Sequence, residues 1–171
     1  MQFRKPCFKD IAEITAFKNE FTESGSSMDG TSILRKATAE EWLDYTERLE
    51  KGDIENRVQS FQYCLSDADG RLLGMLQIRP VLNGYLSDFG GHIGYCVRPS
   101  ERRKGYAKRM LSEAVGICKN MGITDILVTC LESNAASAAT ILSCGGIYEK
   151  TVYDGENYHA NMNRYWIKTD R

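Results

Sequence analysis

Three cations in a row and a glycine, Arg102-Arg103-Lys104-Gly105, are the residues of this chain best suited to holding an anion. They follow an apolar run, Ile93 to Val97, that reads as a buried strand and is stopped at Pro99, since proline has no backbone donor and fixes its own φ. They precede a run with apolar residues at Ala107, Met110, Leu111, Ala114, Cys118 and Met121, the steps of three and four that put one stripe on a helix. A helix start has unpaired N–H groups and the positive end of the macrodipole. With Gly105 allowing close approach of the backbone, strand, basic turn and helix make a seat for a pyrophosphate. The same three cations also read as a solvated charge run on a loop.

Asn134-x-x-Ser137 opens a further helix after the apolar run Ile126 to Cys130, and asparagine there suits an N-cap. His92, at the head of the strand His92 to Val97, is a candidate general base, with an unperturbed pKa of about 6.5. By alternation it shares a face with Gly94 and Cys96, opposite Ile93, Tyr95 and Val97. A structural histidine fits the same pattern. Asp88 and Glu132, near strand ends, are the fallback carboxylates, and a water chain is the alternative to any single base.

Arg102-x-x-Gly105-x-Ala107 fits the Arg/Gln-x-x-Gly-x-Gly/Ala signature of the GNAT superfamily of N-acetyltransferases, with Val97-x-Pro99 where that family ends its fourth strand. With the strand Ile126 to Cys130 and the Asn134-x-x-Ser137 helix start, the chain resembles that family over roughly residues 58 to 168. The resemblance implies a mixed α+β (α/β) GNAT-like fold: a mostly antiparallel twisted sheet of six to seven strands with a splayed central pair, flanked by about four helices. It implies acetyl-CoA as co-substrate. The pyrophosphate would lie on the backbone N–H groups of Arg103, Lys104, Gly105, Tyr106 and Ala107, with the charges of Arg102 to Lys104 nearby. Pantetheine would bond the exposed backbone of Tyr95 and Val97, where an N–H would also stabilise the oxygen of the attacked thioester. Asn134 matches the position that bonds the pantetheine arm, beside Ser137. The implied reaction is direct attack of a primary amine on acetyl-CoA in a ternary complex.

One departure matters. Many members carry a tyrosine seven residues after the asparagine, placed to protonate the leaving thiolate, and here that position is Ile141. An aliphatic side chain cannot be an acid, so the role is vacant or moved; Ser137, Cys144 and Tyr148 are the substitutes near in sequence. This leaves open a rival reading, an acyl-CoA-binding sensor or interaction module that kept the fold and lost turnover.

The chain of 171 residues suits one domain, 1–171. Lys plus Arg is 22 against 23 for Asp plus Glu, so no global field favours nucleic acid or an anionic membrane. No apolar run approaches the roughly 20 residues of a bilayer span. The first residues, Met1 to Pro6, lack a signal-peptide core. The six cysteines are scattered without Cys-x-x-Cys, which predicts free thiols in a reducing cytoplasm and no metal site. A monomer or homodimer is expected.

Around the proposed site, Asp10 with Glu13 and Thr38 with Glu41 read as capping pairs of two helices separated by a Gly/Ser loop from Ser24 to Thr31. Glu20, Glu23 and Asp29 near that loop would attract a cationic amine, or are a solvated acidic face. Strands follow at 60–65 and 72–80, with a hairpin turn at Asp67–Gly70, a bulge at Gly74 and a turn at Asn83-Gly84. The helix from Asn134 closes at Gly145-Gly146, and Ile147–Tyr153 and Ala160–Lys168 form a last hairpin.

Overall fold

A computed structural model describes residues 1–170. Seven strands form two sheets. In the first, β1 (Gln2–Arg4), β2 (Phe61–Ser66), β3 (Leu72–Ile78) and β4 (Ile93–Val97) lie side by side in that order, each pair antiparallel. In the second, β5 (Asp125–Leu131), β7 (Ala160–Lys168) and β6 (Ile147–Asp154) are ordered with β7 in the middle. Four α-helices, α1 (Ile11–Ser24), α2 (Ala39–Lys51), α3 (Tyr106–Asn120) and α4 (Ala135–Ser143), complete the mixed α/β fold. The sheet expected from sequence is thus divided, and the division falls between β4 and β5.

Alternation along β3 and β4 sorts the core. Leu76, Ile78 and Ile93 face α3, whose stripe Met110, Leu111, Ala114 and Cys118 is buried against them as its spacing predicts. Met75 and Cys96 face the other way, into a cluster with Phe17 and Phe21 of α1 and Trp42 of α2. On that second face the chain between α1 and α2 lies across the strands. A Cβ at Gly30 (φ +75) would sit 2.1 Å from the carbonyl oxygen of Gly94, so backbone packs directly on backbone there. Gln62 and Gln77 anchor this segment, Nε2 of Gln62 donating to the Gly30 carbonyl (3.0 Å) and Nε2 of Gln77 to Ser32 Oγ (2.6 Å).

The Thr38–Glu41 capping box forms as expected, with Glu41 N–H donating to Thr38 Oγ1 (3.2 Å) and Thr38 N–H to Glu41 Oε2 (2.8 Å). The Asp10–Glu13 pair does not. Asp10 accepts from the Arg4 fork at 2.7 Å and from Cys7 N–H at 2.8 Å, while Glu13 accepts from Leu72 N–H and Arg98. Stronger charged donors outcompete a cap. The bulge lies at Leu73, skipped where Leu65 pairs with Gly74 and Ser66 with Leu72; Gly74 instead makes room for Met110. β3 ends at Ile78, before Pro80, and Asn83-Gly84 opens a π-helical turn, Leu86–Gly90, with Asn83 Oδ1 accepting Leu86 N–H at 2.9 Å.

Candidate active site

The site begins where β4 and β5 fail to pair. His92 N–H donates to the Leu127 carbonyl (2.8 Å), and the His92 Nδ1 accepts Leu127 N–H (2.9 Å), so the imidazole stands in for the next main-chain acceptor. Beyond His92 the two strands form no ladder among the described residues. The β3–β4 register sets which groups face this gap. Arg79 N–H bonds the His92 carbonyl and Arg98 N–H bonds the Leu73 carbonyl, which puts the N–H and C=O of Gly94 and Cys96 toward β3. Those of Ile93, Tyr95 and Val97 point the other way. Tyr95 and Val97 are therefore the β4 residues near its C-terminal end with main chain turned to the gap; the Val97 carbonyl accepts Arg102 Nε at 3.3 Å.

The gap opens at its Val97 end onto the basic turn. A 3-10 turn, Pro99–Glu101, leads to Arg103 at φ 64 and Gly105 at φ 83, both left-handed, after which α3 starts at Tyr106. Gly105 has open space where a Cβ would be, so it is required there for its φ rather than for close packing. Among the described residues, the main-chain N–H groups from Arg103 to Ala107 have no protein acceptor. The three cations do not act as one patch. Arg102 stacks over the Phe21 ring at 5.7 Å, and Lys104 pairs with Glu101 at 2.8 Å, which raises its pKa; Arg103 stays exposed. The turn is held from below by Arg98, buried and forked onto Glu20 (2.7 Å) and Glu13 (3.0 Å) of α1, while Glu20 also accepts Ser100 N–H at 2.6 Å. Burial works against the charge of Glu20, but the bonds from Arg98 and Ser100 outweigh it and bring its pKa to about 2.

Across the gap, Asn134 caps α4, its Oδ1 accepting Ser137 N–H at 3.1 Å. Ser137 Oγ is 2.8 Å from the Tyr95 hydroxyl, joining β4 to α4; burial pushes the Tyr95 pKa up to about 12. Of the residues singled out from sequence, Tyr95 and Ser137 are thus joined directly, with Asn134 at the head of the same helix and Val97 two residues further along β4. Ile141 is fully buried, so closely backed that a Cβ on Gly146 would lie 2.5 Å from its Cγ2. Of the substitutes, Cys144 contacts Ser112 Oγ (3.6 Å) between α3 and α4, and Tyr148 bonds Thr151 (2.8 Å) on an exposed strand.

His92 enters with its Nδ1 lone pair engaged, so the neutral ring carries its proton on Nε2. Burial lowers its pKa below the ordinary value, and the charge of the nearby Arg79 acts in the same direction. The acidic residues do not converge either: Glu20 is committed to Arg98, Glu23 is exposed at the end of α1, and Asp29 accepts from Ser27 (3.0 Å) and Tyr158 (3.2 Å). Arg79, half-buried on the Gly94 face, was not singled out by the sequence reading. Its signal was the period-two series Met75, Gln77, Arg79, which turns a charge inward before Pro80. Among the described residues no group of three or more His, Cys, Asp or Glu could hold a metal, and no helix is long and apolar enough to cross a membrane.

Residues 28–145 match the family model of the Acetyltransferase (GNAT) family. The chain belongs to the GNAT family. A search of curated proteins finds no relative by sequence. Solved structures share the GNAT fold at low identity. The ribosomal-protein-S5-alanine acetyltransferase of Vibrio fischeri is 15% identical at TM-score 0.75, over 99% of this chain and 93% of that one. A ribosomal L7/L12 alpha-N-protein acetyltransferase in complex with coenzyme A is 14% identical at TM-score 0.73, over 97% and 92%. The spermidine N-acetyltransferase of Vibrio cholerae, in complex with CoA and spermine, is 14% identical at TM-score 0.65, over 98% and 95%. GNAT proteins use acetyl-CoA.

Proposed function

We propose that the chain is an N-acetyltransferase that moves an acetyl group from acetyl-CoA to a primary amine, within a single domain. The observation that carries this is the unpaired inner edge of β4, Tyr95 and Val97, running straight into the free N–H groups of 103–107. Arg103, Lys104, Gly105, Tyr106 and Ala107 would hold the diphosphate by backbone N–H, with Arg102 and Arg103 supplying charge. Tyr95, Val97 and Asn134 would bond the pantetheine arm, with Ser137 tied to Tyr95 beside it. Acetyl-CoA supplies an activated acetyl thioester. The amine nitrogen would attack its carbonyl carbon, with the Tyr95 N–H stabilising the oxygen as charge develops there. The C–S bond would then break to release CoA.

The amine must lose a proton, and His92 can take it only by giving up Leu127 N–H or by passing through its other tautomer. We assign the proton to a water chain and His92 to holding the gap open. The departing thiolate, with an ordinary thiol pKa of about 8.5, leaves without an acid at position 141. Incubating the full chain with acetyl-CoA and a panel of amines, with thiol release and product mass as readouts, tests the reading; the expected result is an acetylated amine. The rival, an acyl-CoA sensor, is favoured by the burial of Ile141, and it predicts binding by calorimetry with no acetylated product.

A further inference from the structure

Arg79 follows β3 and lies opposite His92. Arg4, Arg71, Arg98 and Arg164 each face a carboxylate: Asp10, Glu20 and Glu101, Glu13 and Glu20, and Glu149. Arg79 forms no ion pair among the described residues. Its Nη1 donates to the Gly91 carbonyl (3.1 Å) and weakly to that of Gly90 (3.5 Å), leaving the Nη2 and Nε donors of the fork unpartnered. Nη2 lies 3.3 Å from where a Cβ on Gly94 would stand. One strand residue, ~3.4 Å, separates Gly94 from Tyr95, whose main chain turns to the gap. The fork therefore lies beside the point where the amine must meet the thioester. Burial lowers the Arg79 pKa, and the neighbouring Tyr158 and Asp29 only partly offset this, which marks a cation short of counter-charge. Asp29 does not supply it by contact, since its carboxylate is taken by Ser27 and Tyr158.

We propose that the free side of the Arg79 guanidinium binds a carboxylate of the acceptor, so that the amine acetylated is a small amino-carboxylate rather than a polyamine. This rests on the acetyl-transfer reading. A guanidinium presents parallel N–H groups that match a carboxylate in two-point fashion, and the Nη2 and Nε groups of Arg79 are the donors left for it. The fork also fixes orientation: with the carboxylate on Arg79, a short spacer sets how far the amine stands from it, on the Tyr95 side. A polyamine would bring a second ammonium against an unpaired cation, which the site opposes.

The test compares matched acceptors with the full chain and acetyl-CoA: short amino acids and dipeptides, their C-terminal amides, and spermidine. Free acids are expected to exceed their amides by about tenfold or more in kcat/KM, the worth of a charge-assisted bond, mainly through KM. R79Q should bring that ratio near one without changing the KM for acetyl-CoA, and R79K should restore part of it. Amides or spermidine used as well as, or better than, the acids would overturn the proposal and leave the transferase reading standing. That comparison needs no variant, so it holds even should R79Q loosen the 86–91 turn. Should no amine be acetylated, the transferase reading falls. Calorimetry of CoA-loaded protein with N-acetylglycine against its amide then decides for Arg79: a preference for the acid that R79Q abolishes supports the anion site, and equal or no binding ends it.

Discussion

The His92 Nδ1 accepts the Leu127 N–H at 2.9 Å, at the point where β4 and β5 part. A ring nitrogen can do this only while unprotonated. Because the folded pKa lies below the ordinary value, the unfolded chain binds the proton more readily. The stability this gives is present above pH ~6.5 and is lost as pH falls through the lower folded value. We expect thermal unfolding of the wild type to show this acid loss and H92A to lack it. We expect H92Q, whose amide oxygen can accept the same N–H, to keep most of the acetyl-transfer rate with an unchanged pH–rate profile. Loss of a titrating limb in H92Q would make His92 the base after all.

Gly105 holds φ 83 with open space around its missing Cβ. Substituting valine there costs about 1–2 kcal/mol in backbone conformation alone. The relief is to rotate the peptide units that begin α3. G105V should therefore retain the fold and lose about tenfold or more in CoA affinity by calorimetry, a loss of ~1.4 kcal/mol. Unchanged affinity would separate the turn from cofactor binding.

Asn134 as a cap and Asn134 as a ligand make different demands. N134D retains an oxygen for Ser137 N–H and removes the amide donor; N134A removes both. N134D is expected to unfold at the wild-type temperature yet bind CoA more weakly, while N134A loses about 1 kcal/mol of stability as well. Equal CoA affinity in N134D and wild type would confine this residue to capping.

Arg98 is 4% exposed and ties Glu13 and Glu20 to the carbonyl of Leu72. R98L should cost about 3 kcal/mol, the lower part of the range for breaking a buried pair, since both carboxylates retain some water. Glu20, with its pKa near 2, contributes stability that is complete above its ordinary value of 4.5 and disappears as pH drops toward 2. An E20Q variant should flatten that acid limb in denaturant titrations. It should also loosen Ser100, measured as faster amide exchange there.

Much of the proposed cofactor side could be read from the chain because it depends on local order: a strand stop at Pro99, a glycine at a left-handed position, a cap at Asn134 and a stripe along α3. These are set by residues close in sequence, and each forms as read. What escaped depends on pairing over long separations. Asp10 and Glu13 look like a cap until Arg4 and Arg98 arrive from elsewhere to claim them. Glu20 looks like a surface acid until β4 delivers Arg98. His92 could be given a face by alternation, but its in-plane bond to β5 follows from strands 35 residues apart in the chain. The π-helical turn at Leu86–Gly90 carries no local signature beyond Asn83-Gly84.

Gly30 and Gly94 touch through their main chains with no side chain between them. The stretch between α1 and α2 is therefore welded to β4, the strand proposed to hold the donor, with main chain directly on main chain. A graft replacing residues 25–38 would fit only if both members of that seam travelled together; alanine at either position would pry the α1–α2 stretch away from β4.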